Sequence, residues 1–161
     1  MVQGTSEDAA FRIIKNGFGT VASLDDGWYG RGMYFTTHAG YAAAYARPSP
    51  HGKVFVIALV IPGNAFPVVE SPEDAGSLHG QACTKGYQSH YLQVRADGMP
   101  VSQSSDTAAD ELVVFEGWQT LPLFLVYTDE FTFAPKVSKM WDFLGKSLNE
   151  KEGKRVPHLM I

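Results

Sequence analysis

Between Gly27 and Ala46 the chain reads Gly-Trp-Tyr-Gly-Arg-Gly-Met-Tyr-Phe-Thr-Thr-His-Ala-Gly-Tyr-Ala-Ala-Ala-Tyr-Ala, and its tyrosines are the first residues whose spacing suggests chemistry. Tyr41 and Tyr45 lie four apart and share one face of a helix. Tyr34 lies at the end of the strand that feeds this helix. The ring faces of Tyr34 and Tyr45 can therefore converge and hold a flat group between them, although two ordinary core aromatics would show the same spacing. Two other groups bear on this place. Gln3-Gly4-Thr5 precedes a helix start, where backbone N–H groups are available to a polar ligand. Glu111 brings a carboxylate at the start of a strand, where a solvated edge residue is the ordinary alternative. Cys83, the single cysteine, sits among Gly, Gln and Thr in a loop and reads as an inert thiol. The five histidines, at 38, 51, 79, 90 and 158, lack metal-ligand spacing, so no metal is expected.

The elements that must position these groups follow from local patterns. Gly27, Gly30 and Gly32 let the backbone turn before Met33-Tyr34-Phe35, a short aromatic strand. The order of glycines, then strand, excludes a dinucleotide fingerprint, and the lack of Gly-Lys-Ser/Thr excludes a phosphate loop. Thr37 is the expected N-cap of the next helix, alanines fill its turns, and Pro48 limits its length. Upstream, Thr5-Ser6-Glu7-Asp8 reads as a capping box with Thr5 as N-cap. Ala10, Ile13 and Ile14 then mark one apolar helical face, and Asn16-Gly17 a stop.

Val54 to Ile61 is a continuous apolar run that predicts a buried central strand, ended by Pro62-Gly63-Asn64. Phe66-Pro67-Val68-Val69 suits a short edge strand, where a proline is tolerated. Glu70 to Gln88 lacks periodicity and reads as a long loop of the functional kind. Leu92-Gln93-Val94 adds a brief strand, and Arg95 to Asp110 is again loop. Glu111 to Phe115 and Leu121 to Thr128 read as strands, with Phe131-Thr132-Phe133 as an extension. Lys136 to Glu150 carries Val137, Met140, Trp141, Leu144 and Leu148 on one helical face, an amphipathic helix expected to dock on the domain.

A chain of 161 residues, 45% hydrophobic, is the size of one domain with one sizeable core. A net charge of -4 supplies no basic footprint, which disfavours nucleic acid as the main partner. The longest apolar run is too short to span a membrane, no signal peptide is visible, and one cysteine fits a reducing compartment. A soluble intracellular protein with a small molecule or a protein as partner is therefore expected.

The order of Gln3-Gly4-Thr5, Gly32-Met33-Tyr34-Phe35, Ala43-Ala44-Tyr45-Ala46, Gly86-Tyr87-Gln88-Ser89 and Asp110-Glu111-Leu112-Val113-Val114 resembles the catalytic domain of the poly(ADP-ribose) polymerase-like ADP-ribosyltransferases. That family carries a His-Tyr-Glu set on three strands. Tyr34 matches the Tyr and Glu111 the Glu, while Gln3 stands where the His would be. The resemblance spans about residues 3 to 128. It implies an α+β fold, an ADP-ribosyltransferase-like split β-sheet core with flanking helices. The domain would run over 1–135, and the C-terminal amphipathic helix and tail over 136–161. In the family the first strand begins several residues earlier, so an excised domain with a lost upstream segment is also expected.

The resemblance further implies NAD as co-substrate, transfer of a single ADP-ribose to a protein or other acceptor, and release of nicotinamide. Catalytic residues would be Glu111, Tyr34 and Gln3; NAD would be bound by Gln3, Gly4, Thr5, Tyr34 and Tyr45. Gly4 would pair with the nicotinamide amide, Tyr45 would stack on its ring, and Glu111 would hydrogen-bond ribose hydroxyls. Breaking the nicotinamide bond leaves an oxocarbenium-like ribose, which a carboxylate stabilises. Two departures matter. Gln3 lacks an imidazole, and Ala42 stands where many members have a serine that binds the nicotinamide amide. The rival reading is a pseudoenzyme that binds NAD or a protein partner without transfer.

Overall fold

The apolar run marked in the sequence as a central strand organises the first of two sheets. The computed structural model describes residues 1–20, 26–69, 78–95, 97–101 and 108–128. In it β1 is Val2–Thr5, β2 Met33–Phe35, β3 Pro48–Ser49, β4 Gly52–Val60, β5 Ala65–Pro67, β6 Ser89–Val94, β7 Ala109–Val114 and β8 Thr120–Thr128. β4 pairs antiparallel with β1, β3 and β8. Its pairing with β8 shifts register between Ile57 and Ala58, next to Pro122, which lacks an N–H for the ladder. The second sheet has the order β2-β7-β6-β5. There β5 runs parallel to β6 at the edge, the position expected from Pro67.

The two sheets approach each other at one bridge. Val2 donates its N–H to Thr36 O at 2.8 Å and accepts from Thr36 N at 3.0 Å. This is the split β-sheet core of an α+β fold.

Among the described residues two α-helices flank it, and both differ from the sequence reading at their ends. α1, Glu7–Asn16, is capped by Ser6, whose side chain accepts from Ala9 N, and stops at Gly17 with φ +78°. Thr5 is instead the last residue of β1, where its carbonyl accepts from Arg47 N at 3.0 Å. Pairing with β4 down to Val54 keeps Thr5 extended, which moves the cap one residue on. Ala10 and Ile13 are buried, but Ile14 faces solvent. α2 is the single turn Ala39–Ala42, capped by His38 rather than Thr37. Thr37 spends its backbone N–H and its hydroxyl on Asp110.

Three apolar clusters divide the interior. One gathers Ile13, Phe18, Phe35, Val56 and Leu112 between α1 and the sheets. A second holds Tyr29, Tyr41, Leu92 and Val113 on the opposite face of β7. A third packs Val2, Ala42, Phe55 and Val126. Gln119 ties the sheets together. Its amide oxygen accepts from Phe115 N and Glu116 N, and its nitrogen donates to Ile61 O and Gln88 O. That fills the hydrogen-bonding capacity of a fully buried amide.

The strand expected at Leu92 begins earlier, at Ser89, because Ser89 and His90 are fully buried and pair with Val114 and Val113. Residues 78–88 of the expected long loop carry neither helix nor strand. The remainder of that loop from 70 to 77, the strand expected at Phe131 to Phe133 and the C-terminal helix lie outside the described residues.

Candidate functional site

A cavity of about 550 Å³ lies at the split between the sheets. β1 supplies its first wall. Val2 spends its backbone hydrogen bonds on Thr36, away from β4, and the two-residue alternation of a strand turns Gly4 N–H and C=O the same way. Gly4 lines the cavity, so it offers a donor and an acceptor in one residue. These groups come from a strand edge, not from the helix N-terminus that the sequence suggested. A side chain at Gly4 would strike the backbone carbonyl of Ala42, so close packing of β1 on α2 requires glycine there. Gln3 also lines the cavity, and its Oε1 is buried without a hydrogen-bond partner. An orphaned acceptor at a cavity wall suits a ligand hydroxyl. Thr5 is not among the lining residues.

The glycine-rich segment forms the second wall. Gly27 and Gly30 have φ of +60° and +118°, and a Cβ on Gly32 would come within 2.6 Å of Val113. The segment thus closes tightly on β7 and on Tyr34. The Tyr34 hydroxyl donates to Gly30 O and accepts from Tyr29 N, both at 2.8 Å. Tyr34 therefore holds this loop in place while its half-buried ring borders the cavity. His90 supports the same loop from β6. Its Nε2 accepts from Thr84 N at 3.0 Å, which leaves the proton on Nδ1 to donate to Tyr29 O at 2.6 Å. Burial pushes this imidazole down from its ordinary pKa.

Glu111 forms the third wall. The sequence left open a solvated strand edge, but β7 runs between β2 and β6, and Glu111 is only 6% exposed. Register places it opposite Leu92 and on the same face as Val113 and Tyr34. Burial raises its carboxyl above the ordinary range, Asp110 adds to the rise, and hydroxyls of Tyr41 and Tyr45 oppose it. Tyr41, itself buried, donates a short hydrogen bond to Glu111 Oε1. Tyr45 is 55% exposed, lines the cavity, and meets Tyr41 edge to face at 5.5 Å.

Five of the residues expected from the sequence, Gln3, Gly4, Tyr34, Tyr45 and Glu111, thus border one cavity. Ala42 borders it too, without a polar side-chain group. Tyr41, Tyr29 and the Asp97-Gly98 pair were not expected. For Tyr41 the signal was present in its four-residue spacing from Tyr45. Tyr29, whose hydroxyl donates to Gly98 O at 2.8 Å, is joined to a residue 69 positions away and had no local signal. Cys83 is half-buried, and burial raises its thiol pKa, as suits an inert thiol.

The family model for the Poly(ADP-ribose) polymerase catalytic domain matches residues 2–130. No curated protein matches the chain.

Proposed function

The chain belongs to the poly(ADP-ribose) polymerase catalytic domain family, whose members use NAD as co-substrate for ADP-ribosyl transfer, and we propose that it transfers a single ADP-ribose to a protein acceptor with release of nicotinamide. The observation that carries this reading is the Glu111 carboxylate, buried on the cavity face of β7 and held by Tyr41. A fixed negative charge in a site of low polarity is worth most where positive charge develops, and here that is on the ribose as nicotinamide departs.

The other residues take roles that suit this chemistry. Gly4 N–H and C=O pair with the nicotinamide amide, and the rings of Tyr34 and Tyr45 hold its plane. Gln3 Oε1 accepts from a ribose hydroxyl, which would relieve its lack of a partner. Transfer of one unit is favoured over a chain by the cavity lining. Its charged groups among the described residues, Asp97 and Glu111, are both acidic, whereas a growing chain would bring in another diphosphate.

Gln3 and Ala42 favour a second reading, a domain that binds NAD without transfer, because Gln3 replaces an imidazole and Ala42 lacks the serine hydroxyl that many members of the family use. Incubation with NAD, followed by chromatography for nicotinamide and mass spectrometry of candidate acceptors, separates the two. The expected result is nicotinamide release by the wild type and a faster rate for Gln3→His. Tight NAD binding with background release in both proteins would establish the binding-only reading.

A further inference from the structure

The Glu111 carboxylate is reached by a hydroxyl chain whose direction is fixed. Tyr41 has one phenolic proton, and it is committed to Glu111 Oε1. The Tyr41 and Tyr45 hydroxyl oxygens lie 3.0 Å apart, so the proton between them must belong to Tyr45. The order is therefore Tyr45 O–H to Tyr41 O–H to Glu111. A donor that is itself receiving a hydrogen bond is a stronger donor. The chain starts on an exposed ring that borders the cavity and ends on a buried acid, with Tyr41 as the buried link.

The Tyr45 hydroxyl also reaches the carboxylate itself, so the two tyrosines together favour the charged form of Glu111. Asp110, its neighbour in β7, carries like charge. Tyr29 approaches from the glycine-rich loop, with Asp97 beyond it on the 97–101 segment. Among the described residues, no cation contributes to the field that sets the ionisation of Glu111. Leu92 opposes it from β6. A buried carboxylate so placed depends on its hydrogen-bond donors both to remain charged and to hold one rotamer.

We propose that Tyr41 is a positioning residue for the reaction, holding the Glu111 carboxylate in one orientation through the directional chain Tyr45 to Tyr41 to Glu111. Tyr45 contributes to this chain through its hydroxyl, in addition to any use of its ring. The role in turnover rests on the transferase reading above; the effect on the carboxylate does not.

The test is Tyr41→Phe, which keeps the ring in the second apolar cluster and removes only the donor. Carbon-13 labelling of glutamate, with Glu111→Gln to assign the resonance, reads the carboxyl titration directly by NMR. The titration midpoint of Glu111 should rise by about one pH unit or more in Tyr41→Phe, about tenfold in its acid constant, and by less in Tyr45→Phe. The acid limb of nicotinamide release should move to higher pH by the same amount, with NAD affinity nearly unchanged. An unmoved Glu111 titration in both variants would overturn the proposal whatever the activity. Should the wild type release no nicotinamide while the titration moves as expected, the positioning stands and the transferase reading fails. If Tyr41→Phe does not fold, Tyr45→Phe alone decides, and an unmoved midpoint there overturns the proposal.

Discussion

Asp110 and Glu111 are neighbours in β7, are equally well buried, and face opposite sides of one sheet. Their carboxylates are used in opposite ways. Asp110 Oδ1 accepts from Thr36 Oγ1 at 2.9 Å and Thr37 N at 2.7 Å, and Oδ2 accepts from Thr37 Oγ1 at 2.9 Å. His38 Nδ1 lies 3.3 Å away. Asp110 is thus surrounded by donors from the β2–α2 connection and fastens that connection to β7. Glu111 borders the cavity, and its side-chain donors are the hydroxyls of Tyr41 and Tyr45 alone among the described residues. The comparison teaches that burial of a carboxylate does not make it a functional group. What distinguishes Glu111 is burial with few donors at the wall of a cavity.

Three substitutions test this contrast. The largest effect is expected for Glu111→Gln, which keeps the shape of the side chain and removes its charge. Nicotinamide release should fall by about a hundredfold or more while NAD affinity stays close to that of the wild type, as for loss of a transition-state contact. Calorimetry and chromatography on the same two proteins provide the check. Equal turnover in both would remove Glu111 from the mechanism.

Asp110→Asn should act on the other side of the contrast. Its amide oxygen would still accept from Thr36 Oγ1 and Thr37 N, but an NH2 would replace Oδ2 at the Thr37 hydroxyl and the charge would be lost, which should cost about 2 to 3 kcal/mol of folding stability. Urea unfolding measures it. NAD binding by the protein that remains folded should be little changed. A variant as stable as the wild type but dead in turnover would place Asp110 in the chemistry and dissolve the division between the two carboxylates.

The smallest effect is expected for Tyr45→Ala. Because the ring is more exposed than buried, the fold should tolerate its loss, whereas affinity for NAD or benzamide should weaken by about 1 to 3 kcal/mol. Unchanged affinity by titration calorimetry would leave Tyr45 only its hydroxyl contact to Tyr41.

Short patterns along the chain carry the local elements and the order of the site motifs. Apolar runs placed β4 and β8, Pro67 placed β5 at an edge, and the glycines, Tyr34, Tyr45 and Glu111 announced themselves through short patterns that a single strand or turn can express. Such patterns are less informative where neighbouring elements compete for the same groups. Thr5 and Thr37 both have the right chemistry for an N-cap, yet β1 pairing holds the first and Asp110 takes the second.

Tertiary structure alone settles which carboxylate in β7 faces the cavity, that Tyr41 reaches it from α2 while Tyr45 lies in the turn beyond that helix, and that Gln3 Oε1 is left without a partner. Tyr41 and Glu111 are 70 residues apart, and Thr36 and Asp110 are 74 apart. Such contacts exist only after β2 has paired with β7, because that register sets which side of the sheet each residue occupies. Local periodicity can show that side chains alternate along β7. It cannot show what lies on either side, and that difference makes Asp110 a fastening and sets Glu111 at the cavity wall.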